Sequence, residues 1–138
     1  MNTTDNNPSG TLDQRRAVHA LAAVKKAESH NKAKPDRYLS YVQALPATIV
    51  MNGLGQAIAT VLANAAKEPA YGLLHEHLQS WLCGDDIAAP YRGAQVLITA
   101  VAEGDQSSYV RAQAEALAYL VWLKKFSQAF LKEEARDA

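Results

Sequence analysis

The chain has 138 residues, enough for one domain and hardly for two. Its 14 Lys and Arg residues balance 14 Asp and Glu residues, so the formal net charge of zero argues against an overtly basic nucleic-acid binder. Hydrophobic residues make up 49%, near the globular norm, which excludes a disordered chain. Alanine supplies 26 residues and aromatic residues only 7%, a composition typical of helices.

The sequence predicts a cytoplasmic protein that does not enter a membrane. Residues 1–10 are polar and lack the apolar core of a signal peptide, so we expect a flexible tail there. The longest apolar stretch, residues 45–66, is interrupted by Asn, Gln and Gly, whereas a membrane span needs roughly 20 predominantly apolar residues. The lone Cys83 forms no internal disulfide, so nothing marks the chain as secreted.

Three helices are predicted in the first half of the chain. The first begins at Thr11 or Leu12, with Thr11 as its cap, and ends before the polar stretch 29–35. A short second helix covers residues 36–44. The third begins at Pro46, whose missing N–H is no loss in a first turn, and its apolar residues recur at three- and four-residue steps as far as Ala65.

Three more helices are predicted in the second half. They cover residues 70–82, about 93–103 and 107–132, and Gly84 to Pro90 form the plainest loop. Ser107 or Ser108 is the expected cap of the last helix. No stretch alternates with a two-residue period, so the prediction is an all-α, compact single-domain bundle of about six helices over residues 11–138. The predicted buried side of the last helix consists of Val110, Ala114, Leu117, Val121, Leu123, Phe126 and Phe130.

Two glycines fall inside the predicted third helix. Gly53 and Gly55, beside Asn52, would each cost about 1 kcal/mol relative to Ala in a helix interior. Either a neighbouring helix packs against this notch, or it receives a backbone from a protein partner or a nucleic acid, and we favour packing. The segment is no phosphate loop, because no strand precedes it and no Lys-Ser/Thr pair closes it.

Residues with catalytic or metal-binding chemistry are scattered. His75 and His77 diverge by about 200° around a helix and cannot share a metal ion, so we expect both at the surface. Cys83 is interpreted as a small apolar residue, and Asp85 and Asp86 as solvated carboxylates. We therefore expect no catalytic set, metal or cofactor. A small hydrolase using Cys83 or the histidines is the enzymatic alternative, and it would need a paired base.

Charge is unevenly distributed along the chain. Seven positive and four negative residues precede position 38, so this segment carries a net charge of +3. Residues 38–104 contain two positive and five negative residues, a net charge of −3, and residues 105–138 are neutral. One interpretation is solvated helix faces. The other is a basic strip that follows phosphates, with an acidic flank that favours head-to-tail stacking on a basic neighbour. The strip would contain Arg15, Arg16, Lys25, Lys26, Lys32, Lys34 and Arg37, with Lys124 and Lys125 nearby.

Three segments carry a family resemblance: Tyr38 to Pro46, Ile49 to Ala59 and Glu115 to Phe126. Together they resemble the small subunit of the Cmr complex, the type III-B CRISPR-associated RNA-guided effector. The similarity covers about residues 12–131. The family often has Thr shortly before the matching Glu, where this chain has Gln113, and the N-terminal tail is not a shared feature.

The resemblance implies a non-enzymatic, all-helical subunit without a cofactor that acts in antiviral defence. Such subunits stack along the backbone subunits and help to hold crRNA and target RNA, while the backbone and large subunits carry the chemistry. Its implied partners are those subunits, both RNAs and further copies of itself. A pure protein-interaction subunit without RNA contact is the alternative. The candidate RNA-binding residues are Arg15, Arg16, Lys25, Lys26, Arg37, Arg111, Lys124 and Lys125; Tyr119 and Trp122 are left open between core and interface, with core favoured.

Overall fold

The computed structural model describes residues 10–30 and 35–131, which form six helices and no strand. The all-α, single-domain prediction is confirmed. Some predicted features lie outside the described residues: the tail before Gly10, the residues Lys32 and Lys34, and the end of the last helix at Lys132. The helices are α1 (Leu12–His30), α2 (Pro35–Asn52), α3 (Leu54–Ala65), α4 (Pro69–Leu82), α5 (Leu97–Glu103) and α6 (Gln106–Phe130).

The start of α1 is set by a reciprocal cap. The Gln14 backbone N–H donates to the Thr11 hydroxyl at 3.0 Å, and the Thr11 N–H donates to the Gln14 side-chain oxygen at 2.8 Å. This capping box satisfies two donors that a helix N-terminus otherwise leaves unpaired. Thr11 is therefore the cap, as the sequence predicts.

The predicted break at Pro46 is wrong, because α2 continues through this proline as far as the residue before Gly53. Pro46 removes one N–H from the helix, but Leu45 and Ile49 on either side are both buried, so their packing outweighs that loss. The chain turns instead at Gly53, whose φ of +90° strains any residue with a Cβ. Gly53 thus joins two helices, and Gly55 lies in the first turn of α3.

The later helices occur in the predicted order with shifted ends. α5 begins at Leu97 rather than near residue 93. The cap of α6 is Asp105, not Ser107 or Ser108, because its carboxylate accepts the Ser108 backbone N–H at 2.7 Å from the position before the helix.

The buried side of α6 also differs from the prediction. Val110 is 61% exposed and Val121 is 51% exposed, and Ala114 is exposed between them. Apolar residues recur at helical spacing on two faces of this helix, so periodicity alone selects the wrong one. Leu123 is buried as predicted, whereas Leu117, Phe126 and Phe130 are only partly buried. The buried face consists of Ala112, Glu115, Ala116, Tyr119, Leu120, Leu123 and Ser127.

One hydrophobic core lies between the helices. α6 packs along α1 and α2, and α3 packs against α4. No helix within the described ranges is long and apolar enough to cross a membrane. The largest fully buried side chains are Tyr38, Tyr119, Ile49, Leu54, Ile58, Leu74, Leu78, Leu82, Leu97, Leu120, Leu123 and Leu131.

Substituting Gly53→Ala should destabilise the fold by about 1–3 kcal/mol, because it adds a Cβ at positive φ. That atom would also lie 3.0 Å from the Tyr109 hydroxyl. Gly55→Ala is the matched control, since its Cβ would meet Tyr109 and Val101 at an ordinary 3.5 Å. Urea unfolding measures both variants, and equal destabilisation would contradict the role assigned to the Gly53 turn.

Candidate functional site

The two glycines lie where α3 begins against α6. The Leu54 N–H donates to the Gln113 side-chain oxygen at 2.8 Å, and the Gly55 N–H donates to the Tyr109 hydroxyl at 2.9 Å. Side chains of α6 thereby satisfy backbone donors that the start of α3 leaves unpaired. Gly53 and Gly55 of the predicted notch both lie against Tyr109 of α6, within the chain itself. Asn52, the third residue of the notch, is exposed.

An open groove of about 570 Å³ lies beside this junction, between the starts of α3 and α6. Its lining includes Asn52, Gln56, Asp105 and Tyr109. Asp105 is already engaged as the cap of α6, and the Tyr109 hydroxyl by Gly55. The Asp105 carboxylate and the Tyr109 hydroxyl are therefore already hydrogen-bonded to the protein's own backbone.

Glu115 of α6 is buried and joins three helices. Its carboxylate accepts Arg16 Nε at 2.6 Å and Arg16 Nη2 at 2.8 Å from α1, and Trp81 Nε1 at 2.8 Å from α4. Three N–H donors thus satisfy the buried charge. The hydrogen bonds to Glu115 raise the pKa of Arg16.

Asp13 extends this network at the surface of α1. It accepts Arg16 Nη1 at 3.1 Å and Trp122 Nε1 at 3.0 Å. The hydrogen bond from Trp122, followed by that from Arg16, lowers the pKa of Asp13. Trp122 is half-buried at the edge of the core, whereas Tyr119, one turn earlier on α6, is fully buried.

Arg15 and Arg37 are also held by carboxylates. Arg15 donates from Nε and Nη2 to the two oxygens of Asp86 at 2.8 and 3.2 Å, and Arg37 lies 2.8 Å from Glu68. The Arg15 hydrogen bond lowers the pKa of Asp86. The prediction that Asp86 is solvated is therefore wrong, whereas Asp85 is exposed.

The remaining basic candidates lie on the surface of α1 and α6. Arg111 and Lys125 are exposed, Lys124 is half-exposed, and none of the three forms an ion pair with any residue of the two described ranges. Lys25 lies 3.8 Å from Glu28 and 4.0 Å above the Phe130 ring. Lys26 is exposed on α1 and close enough to His77 to affect its pKa.

An aromatic row links Lys25 to the end of α6. The rings of Trp122 and Phe126 stack with centroids 5.6 Å apart, and Phe126 lies 6.4 Å from Phe130. All three rings are half-buried. Because Lys25 lies over Phe130, the structure brings Lys25, Lys124 and Lys125 to the same end of the α1/α6 pair.

His77 is buried, and its predicted surface position is wrong. Its Nδ1 shares a hydrogen bond of 2.6 Å with the Tyr38 hydroxyl, and burial is the main cause that lowers its pKa to about 4. The signal that sequence reasoning missed is its spacing, three residues after the buried Leu74 and four before Trp81. His75 is half-buried.

His19 and Cys83 are also occupied by the fold. The His19 ring bridges the Tyr119 hydroxyl at 2.7 Å and the Ser80 hydroxyl at 2.9 Å. Cys83 ends α4 as a buried residue, and burial raises the pKa of its thiol, which disfavours the reactive thiolate. In the described part of the chain, no group of three or more His, Cys, Asp or Glu side chains is arranged to hold a metal ion.

Comparison with known proteins connects this arrangement to one family. A family model described as CRISPR-associated protein Cas_Cmr5 matches residues 12–130. The X-ray crystal structure of a CRISPR-associated Cmr5 family protein from Thermus thermophilus is similar, with 26% identity and a TM-score of 0.71. The alignment covers 89% of this chain and 100% of that one.

Glu115→Gln should cost about 3 kcal/mol of stability, because it leaves the mostly buried Arg16 guanidinium with only the exposed Asp13 as an ionic partner. Adding Arg16→Met to this variant should recover much of the loss. Arg37→Met is the matched control, since its exposed pair with Glu68 contributes about 1 kcal/mol or less. Denaturant unfolding of the four proteins checks this, and an Arg37→Met loss as large as that of Glu115→Gln would refute the ranking.

Protonation of His77 should destabilise the fold in mild acid. The pKa of His77 is about 4 in the folded chain against an ordinary 6.5, so between these values the unfolded state binds more protons. The stabilisation is therefore complete above pH 6.5 and is lost as pH falls to 4, a loss of about 3 kcal/mol. Unfolding at stepped pH measures it. His77→Gln should flatten the profile, and an unchanged slope would assign the effect elsewhere.

Proposed function

The chain belongs to the CRISPR-associated Cmr5 family, and from this premise we propose that it is a non-catalytic subunit of a type III-B RNA-guided effector complex. It acts in the cytoplasm in antiviral defence, stacked along the backbone subunits beside further copies of itself and in contact with the large subunit. There it helps to hold crRNA and target RNA. Burial of Cys83 and His77 supports the non-catalytic part of this proposal.

The observation that carries the RNA contact is the lysine group at the end of the α1/α6 pair. Lys124 and Lys125 make no ion pair with the described residues, and Lys25 reaches the same end over Phe130. A mobile ammonium on a flexible stem meets a phosphate as a point charge. Arg111 lies 14 residues before Lys125, which is about 21 Å along the helix and near the same face. An RNA strand that runs along α6 therefore reaches both side chains.

The arginines of the candidate set have a different role in this proposal. Arg15, Arg16 and Arg37 each face a carboxylate at 2.6 to 2.8 Å. A phosphate would have to displace that carboxylate before it could bind. We therefore assign Arg15 and Arg16 to holding the bundle together and the phosphate contacts to the lysines and Arg111. With zero net charge, RNA affinity of the isolated chain is weak, and the assembled complex supplies the rest.

A pure protein-interaction subunit is the second candidate function. It is favoured by the intramolecular pairing of Arg15, Arg16 and Arg37, which removes three of the eight basic candidates from easy reach of a phosphate. In that case other subunits hold the RNA entirely. The two functions differ in whether the lysines of α6 change RNA affinity without changing assembly.

Reversing the charge at Lys124→Glu and Lys125→Glu should weaken RNA binding by the assembled complex about tenfold or more. The logarithmic salt slope should fall by about 1 for each phosphate that the variant no longer neutralises. Lys67→Glu is the control, because Lys67 is an exposed lysine in the turn between α3 and α4. Filter binding at stepped salt concentrations measures the slope, and co-purification of the subunits measures assembly.

If the double variant assembles normally and leaves both affinity and salt slope unchanged, the protein-interaction function replaces the RNA-contact function. A matching decrease of affinity in Lys67→Glu would show a general charge effect and would equally contradict a local role of the α6 lysines.

A further inference from the structure

A single residue separates α2 from α3. α2 ends at Asn52 and α3 begins at Leu54, and between them Gly53 has a φ of +90° and a ψ of 157°. This region of the backbone map is populated almost only by glycine, because a Cβ is strained there. Connections between packed helices usually have about 2–8 residues. The turn between these two helices therefore depends on one glycine.

The turn interrupts three hydrogen bonds of a continuous helix. Without it, the N–H groups of residues 54–56 would donate to the carbonyls of residues 50–52. In the structure the first two of these N–H groups donate instead to the side chains of Gln113 and Tyr109 on α6. A straight helix would restore three backbone hydrogen bonds at the expense of two bonds to side chains.

Helical hydrogen bonds reach the turn from both sides. The Gly53 N–H donates to the Ile49 carbonyl at 2.7 Å, and the Gly53 carbonyl accepts the Ala57 N–H at 3.1 Å. A helical φ and ψ at this one residue would therefore join α2 and α3 into one helix over residues 35–65, about 46 Å long. The first two helices would then point away from the last four.

The first two helices find their packing partners beyond this turn. Within the described ranges, α1 and α2 pack against α4 and α6 rather than against each other. Ion pairs also join the first two helices to later parts of the chain: Arg15 with Asp86, Arg16 with Glu115 and Arg37 with Glu68. A second copy has the same α4 and α6, so it offers α1 and α2 the same contacts.

We propose that Gly53 is the hinge of a domain exchange between two copies of this chain. In the exchanged dimer each copy has one continuous helix in place of α2 and α3. Each of the two bundles then consists of α1 and α2 from one copy and the last four helices from the other. The contacts repeat those of the monomer, so no second complementary surface is needed. Very short connections between packed elements favour such exchange.

This inference goes beyond the proposed function, because it requires neither RNA nor another subunit. It concerns the association of the free chain, and its tests use the full chain alone. Their outcome is separate from that of the RNA-binding experiment.

The first test measures the association state after refolding from urea at stepped protein concentrations, by size-exclusion chromatography with light scattering. The wild-type chain should refold as a monomer when dilute, with a dimer fraction that grows with concentration. Gly53→Ala should lower the Kd of the dimer about 1,000-fold or more, because alanine disfavours the turn and favours the helix at both hinges. Its Cβ would also lie 3.0 Å from the Tyr109 hydroxyl in the monomer.

Two controls accompany this variant. Gly55→Ala should leave the Kd close to that of the wild-type chain, since Gly55 lies inside α3 and its Cβ would meet its neighbours at an ordinary 3.5 Å. Inserting two glycines after Gly53 should abolish the dimer, because a longer and flexible connection turns without strain and does not propagate a helix.

The second test distinguishes exchange from contact between two intact monomers. Arg15→Asp and Asp86→Arg each place like charges together when either variant folds alone. Refolded together in the Gly53→Ala background, the two variants form a mixed exchanged dimer. One of its bundles contains both substitutions, with the charges reversed, and the other keeps the native pair. The mixture should unfold at least about 4 °C higher than either component. Two intact monomers in contact would gain nothing on mixing.

If Gly53→Ala does not refold, the dimer that the wild-type background forms at high concentration carries the mixing experiment. A wild-type chain that refolds only as a monomer up to its solubility limit overturns the proposal. So does a folded Gly53→Ala chain that stays monomeric, a Gly55→Ala chain that dimerises as readily, a dimer that persists after the two-glycine insertion, or a mixture that unfolds no higher than its components.

Discussion

The buried carboxylate of Glu115 is the constraint on which the packing of three helices depends. Arg16 from α1 and Trp81 from α4 both donate to it from distant parts of the sequence. An unpaired charge at this depth costs several kcal/mol, so α1, α4 and α6 have little freedom to move apart. His19 reinforces the same arrangement, because it bonds to Tyr119 and lies 5.2 Å from the Trp81 ring.

The ion pairs between distant segments change the meaning of the zero net charge. The basic N-terminal segment and the acidic central segment neutralise each other inside one molecule, through Arg15 with Asp86 and Arg37 with Glu68. The planar guanidinium of arginine suits such fixed pairs. The lysine side chains of the described residues instead lie at the surface. Among the residues that the structure describes, Arg111, Lys124 and Lys125 on α6 are therefore left without an ion pair, although half of the positive residues precede position 38.

Local signals predicted the helix count, the order of the helices and the Thr11 cap. Predictions failed where distant residues decide the outcome. Gly53 rather than Pro46 divides two helices because Tyr109 and Gln113, more than fifty residues away, hold the start of α3. The ion pairs of Arg15, Arg16 and Arg37 join helices far apart in sequence, so no spacing rule could separate these candidates from the lysines. Two failed predictions had a local signal: His77 lies on the buried stripe of α4, and the cap Asp105 lies three residues before Ser108.

α6 is apolar on two faces, and only one of them is used inside the monomer. A helix buried on one side needs a polar opposite side to remain soluble, so Val110 and Val121 are costly unless something covers them. Lys124 and Lys125, to which the proposed function assigns phosphate contacts, follow Val121 on the same helix. A partner that covered the exposed valines would therefore lie beside the proposed RNA contact.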